Sequence, residues 1–136
     1  MENMEEKLKK ALQAMDKEDY RTSFEIFQPL AEQGHAKTQF YLGFLYRIGQ
    51  GVNQDFQKAY HWYSLAAEQG YAEAQYKIGL MHFKGQVVAK DYQKAFQWYS
   101  LAAKQGDAKA QFNLGVLYRR GPVSYTHLTL PTKRIV

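Results

Sequence analysis

The chain has no cysteine among its 136 residues. That excludes disulfide stapling, zinc sites built on thiolates and thiol catalysis. It also lacks any apolar run near the ~20 residues needed to cross a bilayer. The first ten residues interleave acids and bases and contain no apolar core of the about 7–15 residues that a secretory signal requires. As written, the chain is expected to be soluble and cytoplasmic. The alternative, periplasmic or secreted, holds if the true start lies upstream and carries a signal. Charge of one sign is scarce too, with a formal net of +5. Hydrophobic residues at 46% and charged residues at 23% give a globular balance and exclude disorder. The length allows one compact domain or a short repeat array. What is plentiful is aromatic: 15% of residues, with 11 tyrosines.

The chain repeats itself, and that decides the reading. Gln33-Gly34 returns as Gln69-Gly70 and Gln105-Gly106, a period of 36. The same offset carries Ala36, Gln39, Gly43 and Gly49 onto Ala72, Gln75, Gly79 and Gly85, then onto Ala108, Gln111, Gly115 and Gly121. It also carries Trp62-Tyr63 onto Trp98-Tyr99. Segments 55–70 and 91–106 are identical at 12 of 16 positions.

Each repeat reads as two helices. Helix A is predicted at about 36–46, 72–83 and 108–119, and helix B at about 56–69 and 92–105. Phe56, Ala59, Tyr60, Tyr63, Ala66 and Ala67 follow the i, i+3, i+4, i+7 spacing of one helical face. Asp55 and Asp91 stand where a side chain can cap free N–H groups. Gly49, Gly70, Gly85 and Gly106 stand where a left-handed residue ends a helix. The short connections force antiparallel neighbours. Gly43, Gly79 and Gly115 fall inside helix A, where glycine costs ~1 kcal/mol against alanine. Three copies of that cost imply close approach by a neighbouring helix. Tyr46, Tyr118, Trp62, Tyr63, Trp98 and Tyr99 are expected to fill the space between hairpins.

The run Gln-Gly-x-Ala, the following Gln and paired Gly, and the continuation Asp-(Tyr/Phe)-x-Lys-Ala-x-x-Trp-Tyr resemble the Sel1-like repeat, a relative of the tetratricopeptide repeat. The resemblance covers Ala31 to Gly121. It implies an all-α fold, a right-handed α/α superhelical solenoid of antiparallel hairpins truncated at the C-terminus. It also implies a protein-interaction scaffold, often in bacterial signalling, envelope or host-contact proteins. Two departures stand out. Gln86-Val87-Val88 loses the second glycine of Gly49-Gln50-Gly51, so that loop is expected to follow another path. His82 replaces the tyrosine found at 46 and 118 and is expected to substitute for it in packing. Secreted members are often cysteine-bridged, so the missing cysteines favour a reducing compartment.

The expected organisation is a divergent capping hairpin at 1–34, repeats at 35–70 and 71–106, and a partial repeat of helix A alone at 107–121. Pro29 sits where Leu65 and Leu101 sit and predicts a kink or break. Residues 122–136 match no repeat and resemble a translated sequencing adapter. Leaving out 123–136 lowers the net charge to +3, 16 basic against 13 acidic side chains. Helix 108–119 would then lack a partner, expose an apolar patch and promote self-association or instability.

No catalytic, cofactor or metal site is found. His35, His61, His82 and His127 have no i+3 or i+4 partners among themselves, and there is no phosphate loop or nucleophile elbow. The chain reads as non-catalytic. By analogy with other hairpin arrays, helix A lines the concave face. Its positions outside the signature include Lys37, Tyr41, Phe44, Arg47, Glu73, Lys77, Leu80, Phe83, Lys84, Lys109, Asn113, Val116, Arg119 and Arg120. The groove hypothesis names Tyr41, Phe44, Arg47, Lys77, Leu80, Phe83, Lys84, Asn113 and Arg119 as partner-binding. Phe44, Leu80 and Phe83 would anchor a peptide, and the cations would pair with its carboxylates. The same residues read equally as a solvated basic face with internal packing. Phe40, Tyr76 and Phe112 recur faithfully and are assigned to packing. An alternative is a regulatory or adaptor module of a larger enzyme or signalling protein. Nucleic-acid binding is disfavoured, because no basic stripe with interleaved aromatics stands out.

Overall fold

The computed structural model describes residues 1–120. Among them the chain forms seven helices of 13 residues each and no strand. These are α1 (Met4–Asp16), α2 (Tyr20–Glu32), α3 (Ala36–Ile48), α4 (Phe56–Glu68), α5 (Ala72–Lys84), α6 (Tyr92–Lys104) and α7 (Ala108–Arg120). The predicted A and B helices are all present, within two residues at each end. Residues 122–136, expected to be foreign to the repeat, lie outside the described residues.

Polar side chains start the helices. Asn3 Oδ1 accepts from Glu6 N at 2.8 Å while Glu6 Oε1 accepts from Asn3 N at 3.0 Å, a reciprocal cap. Asp55 and Asp91 accept from Lys58 N and Lys94 N, each at 3.0 Å. His35 does the same work before α3, its Nδ1 accepting from Thr38 N at 3.3 Å. Losing such a cap costs ~1 kcal/mol.

Two expectations fail. Helix α2 runs unbroken through Pro29, and Gln33 N still donates to Pro29 O at 3.1 Å. The donor that proline removes would have served Glu25, which is exposed, so solvent reaches that carbonyl. The second failure is the loop after α5. Val87 holds φ +69°, matching Gly51 at φ +76° in the loop after α3. The loop keeps its path, and a β-branched residue bears the left-handed backbone.

The chain divides into two units, 1–74 and 75 onward. In the first, α2 packs on α1 and α3, and α3 packs on α4. Phe27, Leu42, Leu45, Ala59, Tyr63 and Ala66 have lost all contact with solvent. Burying a side chain the size of Leu or Phe contributes ~1.5–3 kcal/mol. Gly43 brings α3 onto α4. A Cβ there would lie 2.9 Å from the Tyr63 ring and 3.2 Å from the Ala59 carbonyl oxygen. Gln39 ties three helices together: its Nε2 donates to Ala31 O at the end of α2 (3.2 Å), and its Oε1 accepts from Gln69 at the end of α4 (2.8 Å).

The second unit repeats this chemistry. A Cβ on Gly79 would lie 2.7 Å from the Tyr99 ring and 3.3 Å from the Ala95 carbonyl oxygen. Gln105 donates to Gln75 Oε1 at 2.9 Å. Helix α7 packs on α6, with Phe96 edge-on to Tyr118 at 5.6 Å. Ile78, Met81, Tyr99, Ala110 and Leu117 are buried. His82 is buried too, as the packing assignment expects.

Candidate partner-binding surface

The nine residues of the groove hypothesis fall into two groups, three in the first unit and six in the second. In the first unit, Tyr41 stacks on Phe27 at 5.3 Å between ring centres, with planes 10° apart. The Arg47 guanidinium lies over Phe44 at 5.4 Å. Burial raises the Tyr63 pKa, and the nearby Arg47 charge opposes that shift only in part.

In the second unit, Tyr76, Leu80, Phe83, Lys84, Tyr99, Asn113 and Val116 line an open cleft of about 330 Å³. Four of the predicted residues, Leu80, Phe83, Lys84 and Asn113, therefore come together. Helices α5, α6 and α7 supply the walls. Helical spacing puts Tyr76, Leu80, Phe83 and Lys84 on one face of α5, and Asn113 and Val116 on one face of α7. Phe83 is held from α6 by Tyr92, 5.3 Å away. Asn113 Nδ2 donates to Tyr99 Oη at 3.3 Å. Burial pushes the Tyr99 pKa up to about 12, against the lowering effect of that bond, so its hydroxyl stays neutral.

Among the described residues that line this cleft, Lys84 is the only ionic side chain and none is a carboxylate. Lys77 and Lys109 bring ammonium groups over the Tyr76 ring, at 5.8 and 5.9 Å. An apolar slot with cationic edges can seat an aliphatic or aromatic side chain and attract neighbouring carboxylates. It offers no nucleophile–base pair. Among the described residues, no three His, Asp or Glu side chains gather as a metal site needs, and no helix is long and apolar enough to cross a membrane.

Three placements correct the sequence reading. Tyr76, assigned to packing, is half-buried and lines the cleft as well as stacking on Tyr99. Phe112, also assigned to packing, is 67% exposed, because no described helix covers that side of α7. Phe40 does pack, buried against Tyr63 and Tyr71. Arg119 is exposed and absent from the cleft lining. The side chain of Arg120 lies outside the described residues. Tyr99 is the lining residue that sequence reasoning missed. Its near-identical surroundings in both B helices marked it as core, yet its hydroxyl accepts from Asn113 in the cleft lining.

The model of the Sel1 repeat matches residues 13–35, 36–71, 72–107 and 108–125. Among solved structures, a Sel1 repeat protein from Oxalobacter formigenes is 32% identical, with a TM-score of 0.79. The match covers 84% of this chain and 47% of that one. The protein c5321, a protective antigen present in uropathogenic Escherichia coli strains and displaying an SLR fold, is 36% identical with a TM-score of 0.81. That match covers 89% of this chain and 27% of the other. This chain thus spans about half the length of the first relative and about a quarter of the second. Cysteine-rich protein B of Helicobacter pylori shares the fold, at 22% identity and a TM-score of 0.64, over 82% of this chain and 98% of that one. Among curated proteins nothing matches.

Proposed function

Because this chain belongs to the Sel1 repeat family, we propose that it is a scaffold whose helix-A face holds a protein partner, with the α5–α7 cleft as the principal contact. Sel1 repeat proteins are in general non-catalytic protein-interaction scaffolds, built as all-α repeat solenoids. The finer reading concerns which face binds and what it binds. One observation carries it: Leu80, Phe83, Lys84 and Asn113 line a single cleft whose described residues include no carboxylate. The partner presents an apolar side chain to Leu80, Phe83 and Val116. It carries an acidic residue nearby, for Lys84 and the ammonium groups over Tyr76. Tyr41, Phe44 and Arg47 form an apolar and cationic patch of their own in the first unit. The protein acts without cofactor or metal and in the cytoplasm, reading the missing cysteines as a sign of a reducing compartment.

The test is capture of partners by the full chain, compared with a Leu80→Asp/Lys84→Glu variant of unchanged circular dichroism. A specifically retained acidic partner should be lost by roughly tenfold or more, as at a binding hot spot. Its retention should also weaken as salt rises from 0.05 to 0.5 M, ~14 to ~4 Å in screening length. Equal capture by both forms would refute the cleft.

A further inference from the structure

The tyrosines at matching positions of α4 and α6 are both buried, but their hydroxyls meet different surroundings. In the second unit, Tyr99 Oη accepts from Asn113 Nδ2 at 3.3 Å. In the first, Tyr63 has no exposed surface, and its hydroxyl is sealed away without a hydrogen-bond partner. Its ring is held in place. Phe40 lies 5.6 Å from it, and a Cβ on Gly43 would come within 2.9 Å.

Arg47, one turn beyond Gly43 on α3, stands beside this hydroxyl. Burial raises the Tyr63 pKa, and the neighbouring guanidinium works against that rise. The Nε of the same guanidinium is buried and has no hydrogen-bond partner either. Phe44 lies against the group at 5.4 Å. Among the described residues, the ion pairs join Lys10 to Glu2 and Arg21 to Glu25, and none reaches Arg47. Two hydrogens, one on a cation and one on a phenol, thus stand side by side with no acceptor. A buried donor left unmet bears its full desolvation cost, and a charged one bears more. One acceptor answers both. It is anionic, to match one cation, and it has two coplanar oxygens, to match the edge of a guanidinium.

We propose that Arg47 and Tyr63 form a binding site for a single carboxylate, borne by an acidic side chain of a protein partner. Arg47 gives the Nε edge of its guanidinium, and the Tyr63 hydroxyl gives its hydrogen to one of the two oxygens. Arg47 is half-buried, so the ligand arrives on its open side and reaches the phenol as the long side chain turns. Only the source of the carboxylate rests on the proposed scaffold function. The site lies within the first unit and uses no residue of the cleft.

The experiment titrates the 15N-labelled full chain with sodium acetate at constant ionic strength and follows the Arg47 Nε–H resonance. That resonance should shift and saturate. Tyr63→Phe, which removes one oxygen atom, should weaken acetate about fivefold, the effect of one lost hydrogen bond. Arg47→Lys keeps the charge, loses the planar fork and should abolish saturation. Thermal melting supplies a readout that a merely structural tyrosine would not move. Without acetate, Tyr63→Phe should equal or exceed the parent in Tm, because the hydroxyl it loses had no partner. Saturating acetate should then raise the parent more than the variant. Tyr99→Phe, which gives up the Asn113 bond, should melt lower and keep acetate binding. Acetate binding should also survive Leu80→Asp/Lys84→Glu, so failure of the cleft and failure of this site are read separately. The proposal is overturned by an Arg47 resonance that acetate leaves unmoved, by equal affinity in Tyr63→Phe and the parent, or by inorganic phosphate binding more tightly than acetate.

Discussion

At position 87 a valine holds a backbone that the matching loop gives to glycine. Its φ of +69° costs an L-residue ~1–2 kcal/mol, and at 44% exposure its side chain recovers little by packing. Val87→Gly should therefore raise stability by about 1 kcal/mol, measured by urea unfolding. Sequence reasoning named the conflict correctly and resolved it the wrong way. It let the residue move the loop, whereas helix ends and loop hydrogen bonds hold the path. Gly85 N and Gln86 N still donate to Met81 O, and Asp91 N donates to His82 O. His82 is a second residue whose environment decides its behaviour. Burial, then the Lys94 charge, hold its pKa below the usual 6.5, with Asp91 and a hydrogen bond to the Ala89 backbone opposing. A histidine that resists protonation when folded leaves stability intact above about 6.5. That stability is lost as pH falls through the unfolded value toward the folded one. Melting temperatures should thus drop below pH about 6.5. His82→Tyr, restoring the residue at 46 and 118, should remove part of that drop. An unchanged pH profile would show that His82 titrates as it does in the unfolded chain.

Elements were the most legible scale, since the period of 36 marks each helix several times over. Aspartate before helix B and glycine after it bracket the same thirteen-residue unit in each full repeat. The buried amides were less legible. Gln39 recurs with the rest of the pattern, yet periodicity cannot say that its side chain joins three helices. Gln39→Leu should cost ~1 kcal/mol, because the buried bond to Ala31 O and the part-buried one from Gln69 Nε2 are both lost, although each of those atoms keeps a second partner. Gln111 makes a similar bond to Ala103 O at an exposed site, so Gln111→Leu should cost less than ~0.5 kcal/mol. Chemical denaturation of the two variants measures the contrast. Pro29 shows the opposite error, a residue given too much authority. A proline on the solvent side of an otherwise well-packed helix does not break it.

On the scale of the whole molecule, one repeat signature is used in unequal surroundings. The residues that define it are nearly the same three times, so sequence alone assigns them the same role. Phe40, Tyr76 and Phe112 show where that assignment stops being true: one is buried, one lines a cleft and one is exposed. What differs is which neighbour lies against each copy, and a repeat carries no record of that in its own residues. The mid-helix glycines isolate this effect with one atom. Urea unfolding of Gly43→Ala, Gly79→Ala and Gly115→Ala is therefore the most direct measurement. In the first two, the new methyl presses on a buried tyrosine ring, and stability should fall by ~1–3 kcal/mol. In the third, among the described residues, it meets only Arg119 of its own helix, and stability should hold or rise by up to ~1 kcal/mol. Three equal changes, or a loss at Gly115 as large as at Gly43, would contradict the account.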